Sequence, residues 1–113
     1  MLHNSENLIP IFSALADPTR FAVVSKLLED GETQAGELHS LADISAPAIS
    51  RHLKVLKDAG VITQRKVGTS RLYSVNPNAM EQLSAWTKDM RGFWEASLDR
   101  LDALLPTPQR NQL

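Results

Sequence analysis

From Ser45 to Gly60 the chain reads Ser-Ala-Pro-Ala-Ile-Ser-Arg-His-Leu-Lys-Val-Leu-Lys-Asp-Ala-Gly, with apolar Ile49, Leu53 and Leu56 recurring at intervals of four and three. That spacing places three aliphatic side chains on one face of a helix. Ser45 is suited to cap its start, Pro47 is tolerated in its first turn, and Gly60 ends it. The opposite face carries Pro47, Ser50, Arg51, Lys54 and Lys57, small or polar near the start and basic further along. Such a helix anchors itself by one side and leaves the other without an apolar reason to be buried. After Gly60 the period changes. Val61-Ile62-Thr63 and Leu72-Tyr73-Ser74-Val75 are β-prone runs flanking Lys66-Val67-Gly68-Thr69-Ser70, whose glycine permits a turn, so a short basic hairpin follows the helix.

The segments on either side are helical. Leu8, Ile11, Phe12 and Leu15 stripe a helix from about residue 6 to 16, and Asp17-Pro18 ends it and starts another. Phe21, Val24, Leu27 and Leu28 form the expected buried stripe of that second helix, with Asp30-Gly31 as its stop. Thr33 is placed to cap a short third helix reaching Ala42, with Leu38 and Leu41 facing inward. From Asn78 to about Leu105, Met80, Leu83, Met90, Trp94, Leu98, Leu101 and Leu105 recur at helical spacing until Pro106. The expected organisation is one domain over residues 1–105 and a disordered tail over 106–113, where two prolines and little apolar content leave nothing to pack.

Charge is unevenly spread. The whole chain carries a net charge of −1, yet between Ser45 and Asn76 six bases (Arg51, Lys54, Lys57, Arg65, Lys66, Arg71) face one acid, Asp58. A local basic patch of this kind attracts polyanions even from a near-neutral protein, although a solvated surface gives the same pattern. There is no cysteine, which removes disulfides, thiolate metal sites, cysteine nucleophiles and thiol switches together. No apolar run approaches the roughly 18 residues that a membrane span needs. No basic stretch followed by an apolar block marks a signal peptide, so no membrane association and a cytoplasmic location are expected.

Two short helices joined by a tight turn, the second with a small, polar and basic outer face, followed by a basic hairpin, make a winged helix-turn-helix: a mainly α fold with a small β-hairpin wing. A helix that reads DNA needs small residues where it approaches base edges, hydroxyl and guanidinium groups to bond there, and cations beside the phosphates. Ala46, Pro47, Ala48, Ser50 and Arg51 meet the first two needs; Lys54, Arg65, Lys66 and Arg71 can meet the third.

Ala14-Leu15-Ala16-Asp17-Pro18-Thr19-Arg20, Glu37-Leu38 and the run Ser45 to Ile62, with its Ser-Arg-His-Leu-Lys-Val-Leu-Lys-Asp-Ala-Gly core, resemble the ArsR/SmtB-type winged-helix repressors over about residues 6 to 105. The resemblance implies a symmetric dimer built by the first and last helices, with double-stranded DNA and a second copy of the chain as partners. By position it implies groove or backbone contacts from Ser45, Ala46, Pro47, Ser50, Arg51 and His52, and wing contacts from Lys66, Gly68, Thr69 and Arg71. The Asp17-Pro18-Thr19-Arg20 match reads as architectural, positioning a helix start. Because the long last helix must bury its stripe somewhere, the expected interface joins Leu8, Ile11 and Phe12 to Met90, Trp94, Leu98 and Leu101.

The departures from that family matter equally. Where many members carry Cys-x-Cys at the start of the third helix, this chain has Thr33-Gln34-Ala35-Gly36-Glu37, and no histidine follows His52. Both metal patterns are absent, so no metal or other cofactor is expected. Glu37 and His39, two apart on a helix, do not face a common ion, and His3 lies in a segment expected to fray. Ser50 and His52 likewise diverge on their helix with no third group to orient a base, so no enzyme activity is expected. Trp86, Phe93 and Trp94 concentrate aromatic character on the last helix; dimer packing explains them, and an aromatic effector cavity is the alternative. A winged-helix protein-interaction module that has lost DNA binding, and a regulator answering to an unknown small organic effector, stay open beside the repressor reading.

Overall fold

The computed structural model describes residues 5–106. Five helices and three strands follow in the order α1 (Ser5–Leu15), α2 (Pro18–Asp30), β1 (Thr33–Gln34), α3 (Ala35–His39), α4 (Ala46–Asp58), β2 (Ile62–Val67), β3 (Ser70–Val75) and α5 (Pro77–Leu104). The expected disordered tail beyond Pro106 and the expectation for His3 lie outside the described residues.

Capping chemistry sets most boundaries. Asp17 accepts the Arg20 backbone N–H at 3.0 Å with Pro18 opening α2, and Gly31, at φ 78°, closes it by donating to the Leu27 carbonyl. Ser45 Oγ accepts the Ala48 N–H at the start of α4. At α5 the cap is Asn76, whose Oδ1 accepts the Asn78 N–H, so the helix begins at Pro77, one residue before the expected start. The Asn76 Nδ2 also donates to the Gly60 carbonyl at 2.8 Å, tying the start of α5 to the end of α4.

The region after Gly31 departs from expectation. Thr33 caps no helix: it is a buried strand residue paired opposite Tyr73, and its hydroxyl donates to the Gly31 carbonyl. The wing is therefore a three-stranded antiparallel sheet of order β1-β3-β2. Helix α3 shrinks to Ala35–His39, so Leu38 is buried while Leu41, beyond its end, is exposed. A β-branched residue whose hydroxyl is satisfied locally gains more from an available ladder than from a cap. Strands β2 and β3 pair from Ile62↔Val75 to Val67↔Ser70, leaving the two-residue loop Gly68-Thr69 with Gly68 at φ 62°, a backbone state that hairpin turns of this length demand.

One core serves the whole domain. Ile11 and Ala14 of α1, Val23, Val24 and Leu27 of α2, Leu38 of α3, Ile49, Leu53 and Leu56 of α4, Val61, Ile62 and Tyr73 of the sheet region, and Ala79 of α5 are packed together. Helix α2 buries half of its expected stripe: Val24 and Leu27 are buried as expected, joined by Val23, whereas Phe21 and Leu28 are 60% and 61% exposed. Helix α5 joins the core only through its first turns, with Met80 and Leu83 against it and Trp86 edge-on to Phe12 at 5.2 Å. Its second half runs clear of the body. The radius of gyration is 19.4 Å, against about 13 Å for a compact chain of this length. Among the described residues no single helix is long and apolar enough to cross a membrane.

Candidate nucleic-acid interface

The buried stripe Ile49-Leu53-Leu56 fixes which side of α4 faces outward. Ser45, Ala46, Pro47, Ser50, Arg51 and Lys54 are all exposed on or beside the other side, near a helix N-terminus whose dipole favours phosphate. Small residues stand at the first turn and cations one to two turns on, the order required for close approach to base edges with charge beside the backbone. On the wing, Lys66, Gly68, Thr69 and Arg71 are exposed at the end of the β2–β3 ribbon. The structure thus brings the expected groove residues other than His52, and the expected wing residues, onto exposed positions of adjacent elements.

The six bases of this region are not equivalent. Lys54 Nζ lies 3.0 Å from Asp58 on its own helix, and Arg65 makes two hydrogen bonds to Glu32, at 2.7 and 2.8 Å. Those bonds hold the Glu32 carboxyl below, and the Arg65 guanidinium above, their ordinary values. Arg65 is therefore spent on the loop after α2, contrary to its expected place beside phosphates. Among the described residues Lys57 reaches only the Gln64 amide, at 3.5 Å, with no acidic partner. Lys66 and Arg71 are direct cross-strand partners. Like charges opposite one another destabilise a ribbon, a penalty that an anion between or beside them removes. Arg71 also closes a cleft of about 170 Å³ between α4 and the sheet, lined with it by Ser50, Leu53, Lys54, Lys57, Gln64 and Tyr73. Lys57, Gln64 and Tyr73 were not among the expected contact residues; the basic charge of Lys57 on the outer face of α4 was the one available signal.

His52 departs from the expected groove set. It is half-buried, with Nδ1 3.2 Å from an Arg20 guanidinium nitrogen and 3.8 Å from Asp17 Oδ2. Arg20 in turn donates through Nε to the Ala14 carbonyl at 2.6 Å. The Arg20 backbone N–H, above all, holds the Asp17 carboxyl below its ordinary value. The Asp17-Pro18-Thr19-Arg20 corner is thus joined to α4 through His52. Among the described residues no three His, Asp or Glu side chains gather where they could hold a metal ion.

The expected interface residues divide. Leu8 and Ile11 are buried within the chain itself, at 3% and 2% exposure, and Phe12 is half-covered by Trp86. Met90, Trp94, Leu98 and Leu101, with Phe93, Leu104 and Leu105, stand exposed along α5.

A family model described as a helix-turn-helix domain matches residues 15–65. The HTH-type transcriptional regulator Rv2034 of Mycobacterium tuberculosis is 41% identical over 87 residues, spanning 77% of this chain and 78% of that one. The transcriptional repressor SdpR of Bacillus subtilis is 37% identical over 76 residues, 67% of this chain and 83% of its own. Among solved structures, an ArsR family transcriptional regulator, RHA00566, superimposes with a TM-score of 0.72 at 34% identity, covering 84% of this chain and 97% of that one.

Proposed function

This chain belongs to the ArsR/SmtB family of helix-turn-helix transcriptional regulators, a family of DNA-binding proteins and not of enzymes, and we propose that it is a metal-independent repressor acting as a homodimer on an inverted-repeat operator. The observation that carries this reading is the placement of Arg51, Lys66 and Arg71. All three are exposed and, among the described residues, without an acidic partner, on a core-anchored helix and its neighbouring wing. Ser50 and Arg51 read base edges in the major groove, while Lys66 and Arg71 hold the backbone, with Gly68 and Thr69 letting the ribbon approach it. Two copies of α4, related by a two-fold axis, engage half-sites about one helical turn apart and block transcription.

The dimer is supported by the unpartnered stripe of α5. A 28-residue helix is about 42 Å long, and the half beyond the body exposes aromatic and leucine side chains that a second copy would cover. The unit is residues 1–105, working on cytoplasmic DNA. A protein with the repressor SdpR among its relatives, with no cysteine and none of the family's histidine patterns, should bind its operator without regard to metals.

Selection of duplexes from a random DNA pool by the purified full-length protein tests this reading. The expected result is a two-fold symmetric consensus, bound by two chains per duplex, with affinity unchanged by chelator, zinc or arsenite. Absence of any sequence preference would make the protein-interaction module the better reading.

A further inference from the structure

We infer that Arg20 is a positioning residue for DNA reading, a strut that locks the orientation of α4 against α1 through His52; this rests on the DNA-reading assignment of α4 above. The apolar stripe that holds α4 is non-directional: Ile49, Leu53 and Leu56 resist separation from the core but do little to oppose small rotations or slides of the helix. Directional contacts are scarce at its reading end. Among the described residues, His52 is the one side chain of the first two turns of α4 with a hydrogen bond to another helix, the 3.2 Å bond from Arg20.

The strut is rigid at both ends. The Arg20 Nε donates to the Ala14 carbonyl of α1 at 2.6 Å, while the other arm of the same planar group reaches His52 Nδ1, 32 positions away in sequence. A guanidinium has no acceptor and stays protonated, so the bond makes His52 Nδ1 the acceptor and leaves the ring proton on Nε2. Asp17 completes the corner: its carboxylate receives the Arg20 backbone N–H at 3.0 Å and faces the same imidazole nitrogen at 3.8 Å. Arg51, the candidate base reader, is the next residue to His52 on α4. The arrangement therefore connects the end of helix α1 to the residue beside the candidate base-reading arginine. A lysine at position 20 keeps the charge but has no planar fork to span the carbonyl and the imidazole together. An asparagine at position 52 keeps an acceptor close to where Nδ1 lies; a leucine keeps bulk and removes it.

The test compares wild type, Arg20→Lys, His52→Leu, His52→Asn and the double variant Arg20→Lys/His52→Leu as full-length proteins, using a duplex selected by the wild type and a scrambled duplex. Arg20→Lys and His52→Leu should each lose about tenfold in affinity for the selected duplex and nothing for the scrambled one, the double variant should lose no more than either, and His52→Asn should recover to within about threefold of wild type. In the DNA-free protein, amide exchange over residues 46–52 should accelerate about tenfold in Arg20→Lys while the amides of Leu27 and Tyr73 stay protected. Equal losses on both duplexes, additive losses in the double variant, or unaltered exchange would overturn the strut. A wild type with no sequence preference would overturn the DNA-reading assignment instead, and the exchange measurement would still decide whether Arg20 holds α4.

Discussion

Helices α4 and the second half of α5 carry apolar residues at the same spacing of threes and fours and meet opposite fates. In α4 the stripe Ile49-Leu53-Leu56 is buried to 3% exposure or less, and the polar face is left over. In α5 the stripe Trp94-Leu98-Leu101 is more than half exposed, and nothing among the described residues covers it. Periodicity announces that a face will be buried; it does not announce in which molecule. The α4 stripe meets the side chains of α2 and the sheet, while α5, after Trp86 has packed on Phe12, leaves the body before Phe93 and Trp94. The first region is a folding device with a polar outer face, the second an exposed apolar stripe that the proposed dimer would cover.

The contrast can be broken most severely at Trp94. Trp94→Asp puts a charge where a dimer would bury an aromatic ring, a change on the order of 3–5 kcal/mol against association. Sedimentation should find monomer, with operator binding lost; a soluble dimer of full affinity would show that the interface lies elsewhere. Next comes Leu53→Ala. Because Leu53 is enclosed by its own chain, this change should remove about 2–4 kcal/mol of folding stability in urea. Leu98→Ala, in contrast, should shift the unfolding midpoint only at concentrations where dimer is populated.

On the polar face, Arg51→Ala should cost about 1–3 kcal/mol on the selected duplex and narrow its advantage over random DNA. Lys66→Ala and Arg71→Ala should weaken all sequences alike and lower the salt slope by about one. Arg65→Ala should leave that slope nearly unchanged because Glu32 already neutralises this arginine, and an equal drop for Arg65 and Arg71 would show that the Glu32 pair opens on DNA.

The smallest expected effect is at the corner that holds α4. The folded Asp17 carboxyl lies below its ordinary value of 3.8, so its contribution to stability is complete above that value and disappears as the pH falls through the lowered one. The unfolding midpoints of wild type and Asp17→Asn should differ at pH 6 and converge as the solution is acidified below about pH 4. A difference that persists at pH 2 would assign the role of Asp17 to geometry and not to charge.

Much of the fold was legible because its signals are local. Asp17-Pro18 opens α2, Ser45 and Pro47 open α4, and Gly68 turns the hairpin, each through contacts within about four residues. The outward direction of the residues that the resemblance proposes for groove and wing was legible in the same way, since a helix face is set by spacing. Phe21 and Leu28 were misplaced because Val23 is an equally acceptable neighbour for Val24 and Leu27 on that helix, and composition alone does not rank the choices. Thr33 was misplaced because its strand partner, Tyr73, lies 40 residues further along the chain.

The sequence by itself determined the alternation of helices and hairpin, the amphipathic direction of α4 and the absence of thiol chemistry, because those follow from neighbouring residues and from composition. The tertiary structure alone decided which polar side chains are paired, as Arg65 bonds to Glu32 and Arg20 to His52 across more than 30 positions. It also decided that α5 leaves the core with its stripe uncovered. Such pairings depend on where packing brings distant elements together, and a side chain's partner across that distance is set by the shape of the core, which no local pattern encodes.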